Sequence, residues 1–230
     1  MMPCSPQEIF CLDSEHLQML HHELSDHFEA RSVVSAPILR SKGEAQALLA
    51  WCESEVSTPA SFCAFVDQLE RLNRLLTGDT SKRRRSKIAT SPDREGIAIE
   101  FPDVVDVEKG LYWLWQKIHI PTGEHDAPIL VATAALVLLT NAHLFSDGNG
   151  RLSRALFNYI LHRAGLPVAV YIPVYELALR SRGGFLIRVR QAELRNAWNP
   201  LVEYVVNMLE ICRKIDHIRM AQSLVDRRAP

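Results

Sequence analysis

From Ala127 to Thr140 the chain is apolar at nearly every position, reading APILVATAALVLLT. No polar stripe divides the run into faces, so the pattern predicts a helix buried on all sides. Its length, about 14 residues, suits a core helix and is too short to span a bilayer. The polar stretch HLFSDGNGRLSR, His143 to Arg154, follows directly. Leu152, Ala155, Leu156, Tyr159 and Ile160 then recur at helical spacing to about Ala164, where Gly165-Leu166-Pro167 ends the pattern. One buried helix therefore delivers a polar turn, and a second helix starts from it.

The flanks are patterned more weakly. Asp13 or Ser14 can cap a helix carrying Leu17, Leu20 and Leu24 on one face. His16, His21, His22 and His27 on that segment read as a solvated face rather than a metal cluster. Ser41 to Glu53 and Ser57 to Leu76 predict two further helices, with Ser57 or Thr58 before Pro59 as a start and Gly78 as a stop. Val107 to His119 is amphipathic, with Leu111, Trp113, Leu114 and Ile118 inward. After the second motif helix, Val168 to Val174 reads as extended. Tyr175 to Arg182 and Leu186 to Asn196 read as short helices, and Asn199-Pro200 opens a long one, Leu201 to about Leu224.

Ahead of Val107 the pattern changes. Lys82, Arg83, Arg84, Arg85 and Lys87 form a charge run, usually a solvated surface. Lys87 to Thr90 and Gly96 to Phe101 are short extended candidates around a Ser-Pro-Asp turn, a hairpin pattern. A lone hairpin is marginal in water, so this one needs a partner. The expected fold is mostly α with one small β-hairpin.

Composition changes this picture little. Hydrophobic content of 47% and charged content of 23% are ordinary for a globular protein, and the formal net charge of −1 favours neither nucleic acid nor an anionic membrane. Cys4, Cys11, Cys52, Cys63 and Cys212 are scattered, without metal spacing, and read as reduced thiols of a cytoplasmic protein. The N-terminus lacks the basic and apolar regions of a signal peptide.

The chemistry concentrates in the polar turn. The first N–H groups of a helix lack intrahelical partners and sit at the positive end of its dipole, which suits an anion. Gly148 and Gly150 leave room for a close ligand, and Asn149 offers an amide. Arg151, Arg154 and Asn158 share one helical face, and two guanidiniums there suit a polyphosphate. Asp147 is the kind of lone carboxylate that holds Mg²⁺ beside phosphates. His143, neutral near pH 7, is a candidate general base for an incoming hydroxyl.

The stretch resembles the Fic family signature HxFx(D/E)GNGRxxR, with His143, Phe145, Asp147, Gly148, Asn149, Gly150, Arg151 and Arg154 at its fixed positions. Leu144 stands where the family commonly has Pro. The resemblance implies a Fic-fold helical bundle with a β-hairpin flap: a helical extension over 1–80, a core over 81–210 with the flap at about 84–102, and a terminal helix and tail over 211–230. It further implies AMP transfer from ATP, with Mg²⁺, to a Ser, Thr or Tyr hydroxyl of a target protein. His143 would be the base and Asp147 the metal ligand. Gly148, Asn149 and Gly150 would cradle the phosphates, Asn149 reaching the α-phosphate, while Arg151 and Arg154 neutralise the β- and γ-phosphates. Phe145 would anchor the loop, and Phe185 would stand in for the aromatic pair at the base, leaving UMP or GMP transfer open. The flap residues Lys87, Ile88, Ala89, Ile97, Ala98 and Ile99 would hold the target by strand addition. Its basic residues would cover the nucleotide phosphates or meet an acidic target.

Other readings stay open. A Doc-like kinase branch carries Lys where this chain has Gly150. A silent nucleotide-binding module and the transfer of other phosphate-containing groups are the remaining alternatives. Fic proteins are often silenced by a helix bearing (S/T)xxxE(G/N), whose Glu pairs with the second motif Arg. Ser91, Glu95 and Gly96 fit that string, but Pro92 and Gly96 make a poor helix. A separate antitoxin-like protein is the alternative source of such a Glu, and an effector delivered to a host cell is the alternative to a resident cytoplasmic protein.

Overall fold

The computed structural model describes residues 39–54, 59–78, 81–89, 100–119, 127–166, 170–181 and 183–226, with side chains described within 41–212 of these. The expected helix around Leu17 to Leu24, with its histidines, lies outside the described residues, as does the outer part of the expected hairpin, 90–99.

The described chain is a helical assembly: α1 (Leu39–Ser54), α2 (Phe62–Thr77), α3 (Val104–His119), α4 (Pro128–Ala142), α5 (Asn149–Arg163), α6 (Val174–Arg180), α7 (Gly184–Arg195) and α8 (Asn199–Asp226). At its centre is α4, the apolar run. Residues on all its faces are buried, from Ile129 and Leu130 to Leu139 and Ala142. Its one deeply buried hydroxyl, Thr133, donates back to the Ile129 carbonyl at 2.7 Å and is satisfied within the helix. Helix α5 packs along α4, and α3, α7 and α8 close around the rest of it.

Helix α2 starts one turn later than the Ser57–Pro59 signal suggested. Its cap is Ser61, whose Oγ accepts the Ala64 N–H at 3.2 Å. Gly78 ends it as expected, in the left-handed region at φ 71°, with its N–H donating to the Arg74 carbonyl. Helix α1 lies on α2, α5 and α6. Ser41, Glu44, Leu48 and Trp51 fall on its buried face, and Trp51 meets Tyr159 of α5 edge-on at 4.7 Å between ring centroids.

Among the described residues, the expected hairpin shows its root. Ala89 and Glu100 form a single antiparallel bridge, and the Phe101 N–H donates to the Ile88 carbonyl at 3.0 Å. A second bridge, Arg83 with Phe145, ties the approach to the hairpin to the polar turn. No described helix is long and apolar enough to cross a membrane.

His119 at the end of α3 stands edge-on to Phe65, with centroids 5.3 Å apart. Burial lowers its pKa from the ordinary 6.5 to about 4, against the pull of the Trp115 carbonyl. The unfolded chain therefore binds more protons between those values. Stability contributed by neutral His119 is full above pH 6.5 and is lost as pH falls from there towards about 4. Thermal melts of His119→Gln should show a flatter decline than wild type across that window. Parallel curves would mean that His119 is solvated.

Candidate active site

The polar turn leaves α4 through an unusual backbone. His143 is the C-cap of α4 at φ 44° and ψ 50°, left-handed geometry that a non-glycine residue adopts only when its surroundings hold it. Arg84 does much of that holding. It is buried, and its guanidinium donates to the carbonyls of Ala142 at 2.8 Å, Pro102 at 2.6 Å and Ser86 at 3.0 Å. One side chain thus ties the residue before His143 to both roots of the hairpin. Phe101 stacks on the His143 ring, centroids 4.0 Å apart and planes 22° apart. Burial lowers the His143 pKa below 6.5, the Thr140 carbonyl opposes this, and the Arg84 charge adds to it. The ring is therefore neutral near pH 7, as a general base requires.

Beyond His143, Phe145 is fully buried under the loop. Asn149, expected to reach a phosphate with its amide, spends that amide on the loop. Its Oδ1 accepts the Phe145 N–H at 2.9 Å and its Nδ2 donates to the Phe145 carbonyl at 2.6 Å. What Asn149 still offers an anion is its backbone N–H at the start of α5. The backbone of Asp147 is fixed from outside the motif: Ser81 Oγ bonds both its carbonyl, at 2.8 Å, and its N–H, at 3.2 Å, and Asn73 Nδ2 donates to the same carbonyl. Its carboxylate accepts from the Gly148 N–H at 2.6 Å and pairs with Arg151 at 2.9 Å. The Asp147 side chain is 65% exposed, so it can still reach a cation on its outer side.

The two glycines differ. Gly148 sits at φ 84°, and a Cβ there would lie 2.5 Å from both Asn73 Oδ1 and Thr77 Cγ2. Its need for glycine comes from α2 packing, as well as from the turn. Gly150 is helical, and a Cβ would meet only the flexible end of Arg154 at 3.2 Å.

The two arginines part company. Arg151 donates to the Leu76 carbonyl at the end of α2 and pairs with Asp147, half-exposed beside the turn. Arg154 is held by Glu44 of α1, with Nε 3.2 and 3.1 Å from the two carboxylate oxygens and a further guanidinium N–H on Oε1. Glu44 is nearly fully buried, and Tyr171 donates its hydroxyl to Oε2 at 2.8 Å. Burial and the Glu44 charge keep the Tyr171 phenol protonated. Tyr175 lies beneath the Arg154 guanidinium, 5.0 Å from its ring centroid. The first turn of α1 is in turn anchored on α6: the Ser41 N–H donates to Glu176 Oε1 at 3.0 Å, and its hydroxyl donates to Oε2. Asn158, on the Arg154 face, is buried and clasps Ile172 through both its amide groups.

Two clefts meet at His143. One, of about 520 Å³, is lined by the motif from Ser146 to Arg151 with Arg154, Glu44 and Tyr175. The other, of about 620 Å³, is largely apolar and is lined by Phe101, Leu186, Ile187, Val189 and Leu194. Phe185 enters neither. It is buried against Tyr204 of α8, centroids 5.7 Å apart, because helix α7 turns its neighbours Leu186 and Ile187 outward instead. Lys87, Ile88 and Ala89 stand at the hairpin root, Lys87 paired with Glu100. Ile97, Ala98, Ile99, Ser91, Glu95 and Gly96 lie outside the described residues. Glu44, Ser81, Asn73 and Arg84 were not read as site residues in the sequence. Only Glu44 left a trace, in the apolar face it shares with Leu48 and Trp51.

A helical core that presents a His and an anion-binding turn in this way defines a Fic-type fold. The Fic/DOC family model matches residues 62–161, consistent with a Fic-family protein. No curated protein sequence matches it. Among solved structures it is similar to a Fic family protein of Desulfovibrio desulfuricans, with 19% identity and a TM-score of 0.58 over 93% of this chain and 76% of that one. It is also similar to a fragment of Fic-1 from C. elegans, with 18% identity and a TM-score of 0.60 over 92% of this chain and 65% of that one. IbpAFic2, in a structure where it is covalently tethered to Cdc42, is similar at 17% identity and a TM-score of 0.50, over 84% of this chain and 63% of that one.

The contrast between the glycines is testable. Gly148→Ala should cost roughly 1–3 kcal/mol through its strained backbone and its clash with Asn73. Gly150→Ala should melt within about 0.5 kcal/mol of wild type. Equal losses in thermal unfolding would contradict the packing role given to Gly148.

Proposed function

We propose that the protein transfers AMP from ATP to a hydroxyl side chain of a target protein, and that its own helix α1 holds this activity down. The observation that carries the reading is the His143 centre: a neutral imidazole in enforced geometry, one residue cluster away from an anion-binding helix start. The triphosphate lies along the turn, on the N–H groups of Asn149 and Gly150, since the Gly148 N–H is held by the Asp147 carboxylate. Arg151 faces the leaving phosphates. The base rests on the apolar cleft, where Leu186 and Ile187 replace the platform expected from Phe185.

In the reaction, the target oxygen attacks the α-phosphorus and forms a new P–O bond. The bond from that phosphorus to the α,β-bridging oxygen breaks, pyrophosphate leaves, and the hydroxyl proton passes to His143. Mg²⁺ would neutralise charge on the phosphates, held by the exposed carboxylate of Asp147. The chain's own task is positioning and charge stabilisation.

Glu44 supplies the restraint. Arg154 faces the phosphate cleft but is already engaged by a buried carboxylate. A γ-phosphate seeking Arg154 must displace Glu44. The sequence match at Glu95 is then not needed for silencing, and neither is an antitoxin-like partner. A Doc-like reversed nucleotide remains the second reading, disfavoured by Gly150.

Incubation with labelled ATP and a cell lysate tests both parts. Glu44→Gly should raise transfer roughly 10–100-fold, the worth of a charge-assisted buried contact. Adding His143→Ala should abolish transfer with ATP binding kept, a loss of about 10²–10⁴-fold. Label from the γ-phosphate rather than the adenylate would sink the AMP reading in favour of a kinase. The pH dependence adds a check. His143 must be neutral, and its pKa lies below 6.5, so the rate should be flat at pH 7 and fall only below that value. An acid limb centred above 6.5 would contradict the burial of His143.

A further inference from the structure

We infer that the groove between α2, residues 81–85 and the start of α3 is a second anion site, apart from the motif cleft, which takes a small molecule carrying several phosphate groups. The groove holds about 1000 Å³. Arg74, Lys82, Arg83, Arg84 and Arg85 line it, with Glu70 and Glu108. It shares no lining residue with the cleft along the motif, so an anion here is additional to the nucleotide.

The cations are unequal. Arg74 pairs with Glu70, and Arg83 pairs with Glu108 at 3.0 Å, so both acids of the groove are engaged. Lys82 and Arg85 are exposed and have no ion pair among the described residues. Arg84 has no carboxylate partner among them either; its guanidinium donates to carbonyl groups. The charges of Lys82, Arg84 and Arg85 are therefore left uncompensated on one short segment.

Arg84 supplies the second observation. Only 8% of it is exposed, so little water reaches its charge. Its terminal N–H groups are spent on the carbonyls of Ser86, Pro102 and Ala142, but its Nε–H is buried and has no hydrogen-bond partner among the described residues. A buried charged donor left open is costly, and an oxyanion placed beside it removes that cost. A guanidinium fork with a lysine and a second arginine suits phosphate oxygens, which accept from several donors at once. A single phosphate would fill little of a groove this size, whereas a ligand with several phosphates can meet all three cations.

Arg84 also joins this site to the His143 turn. The same guanidinium holds the carbonyl of Ala142, the residue before His143. A ligand drawn to Arg84 therefore bears on the group that keeps His143 in its left-handed geometry.

Nucleic acid fits less well. Glu70 and Glu108 would oppose a continuous phosphate backbone, and no aromatic side chain lines the groove to stack a base.

Calorimetric titration of the full chain tests the assignment with three probes: inositol hexakisphosphate, inorganic phosphate, and a single-stranded RNA of ten nucleotides. The hexakisphosphate should bind at least about tenfold more tightly than inorganic phosphate and weaken as salt is raised. The double variant K82E/R85E should lose at least about tenfold for it, with an unchanged melting temperature, and the milder pair K82Q/R85Q should lose affinity in the same direction. Arg151→Ala, in the motif cleft, should bind it as wild type does. No binding by wild type, or equal binding by wild type and both double variants, would overturn the site. Loss in Arg151→Ala with binding kept in K82E/R85E would overturn it too, by placing the probe in the motif cleft. RNA bound more tightly than the hexakisphosphate and lost in K82E/R85E would overturn it in favour of a nucleic-acid surface. None of these arms needs ATP or transfer, so the site stands or falls apart from the proposed reaction.

Discussion

A helix buried on every side has to bring its C-terminal carbonyl groups out into a polar turn, and this constraint shapes the centre of the molecule. Arg84 answers it by placing a buried guanidinium on the Ala142 carbonyl, and the same group bonds Pro102 and Ser86. Desolvation and three carbonyl partners make that side chain expensive to remove. Asn149 completes the turn by closing both polar groups of Phe145 onto itself. Ser81 and Asn73 fix Asp147 from a neighbouring element. The loop is therefore rigid before any ligand arrives, which is what catalysis by positioning demands.

That rigidity makes the engagement of Arg154 informative. A buried ion pair gains little over an apolar pair, since desolvation offsets much of its attraction. Here the pair opens on the cleft along the motif, and Arg154 retains some exposure while Glu44 has almost none. An anion entering from solvent can compete for Arg154, while Glu44 would be left with Tyr171 as its donor. The seat of Glu44 depends on how α1 is held: Trp51 and Leu48 pack it on the core, and Glu176 bonds its first turn. A switch of this kind is set by helix docking more than by the ion pair itself.

The central helices were legible from hydrophobic spacing, because α4 and α5 are long, buried and directly adjacent in sequence. His143, Asp147 and both arginines line one cleft, since local spacing fixes what a helix start presents. Side-chain partners were not legible. Asn149 looked like a ligand for phosphate because nothing local reveals that its amide closes onto Phe145. Phe185 looked like a base platform because an aromatic in a short helix does not announce its face; Tyr204, in α8, decides it. Arg84 was hidden inside a charge run that is otherwise exposed. Glu44 lies far along the chain from Arg154, and Ser41-Lys42-Gly43-Glu44-Ala45 misses the spacing of the silencing string by one residue. A search by string found Glu95, whereas the geometry of a buried face points to Glu44.

Calorimetric titration of ATP into wild type, Glu44→Gly, Arg154→Ala and the double variant tests the central claim most directly. If Glu44 and the γ-phosphate compete for one guanidinium, Glu44→Gly should tighten ATP binding by about tenfold or more. That gain should vanish when Arg154 is already absent. The same affinity for ATP with and without Glu44, or a gain that persists in the Arg154→Ala background, would contradict the account.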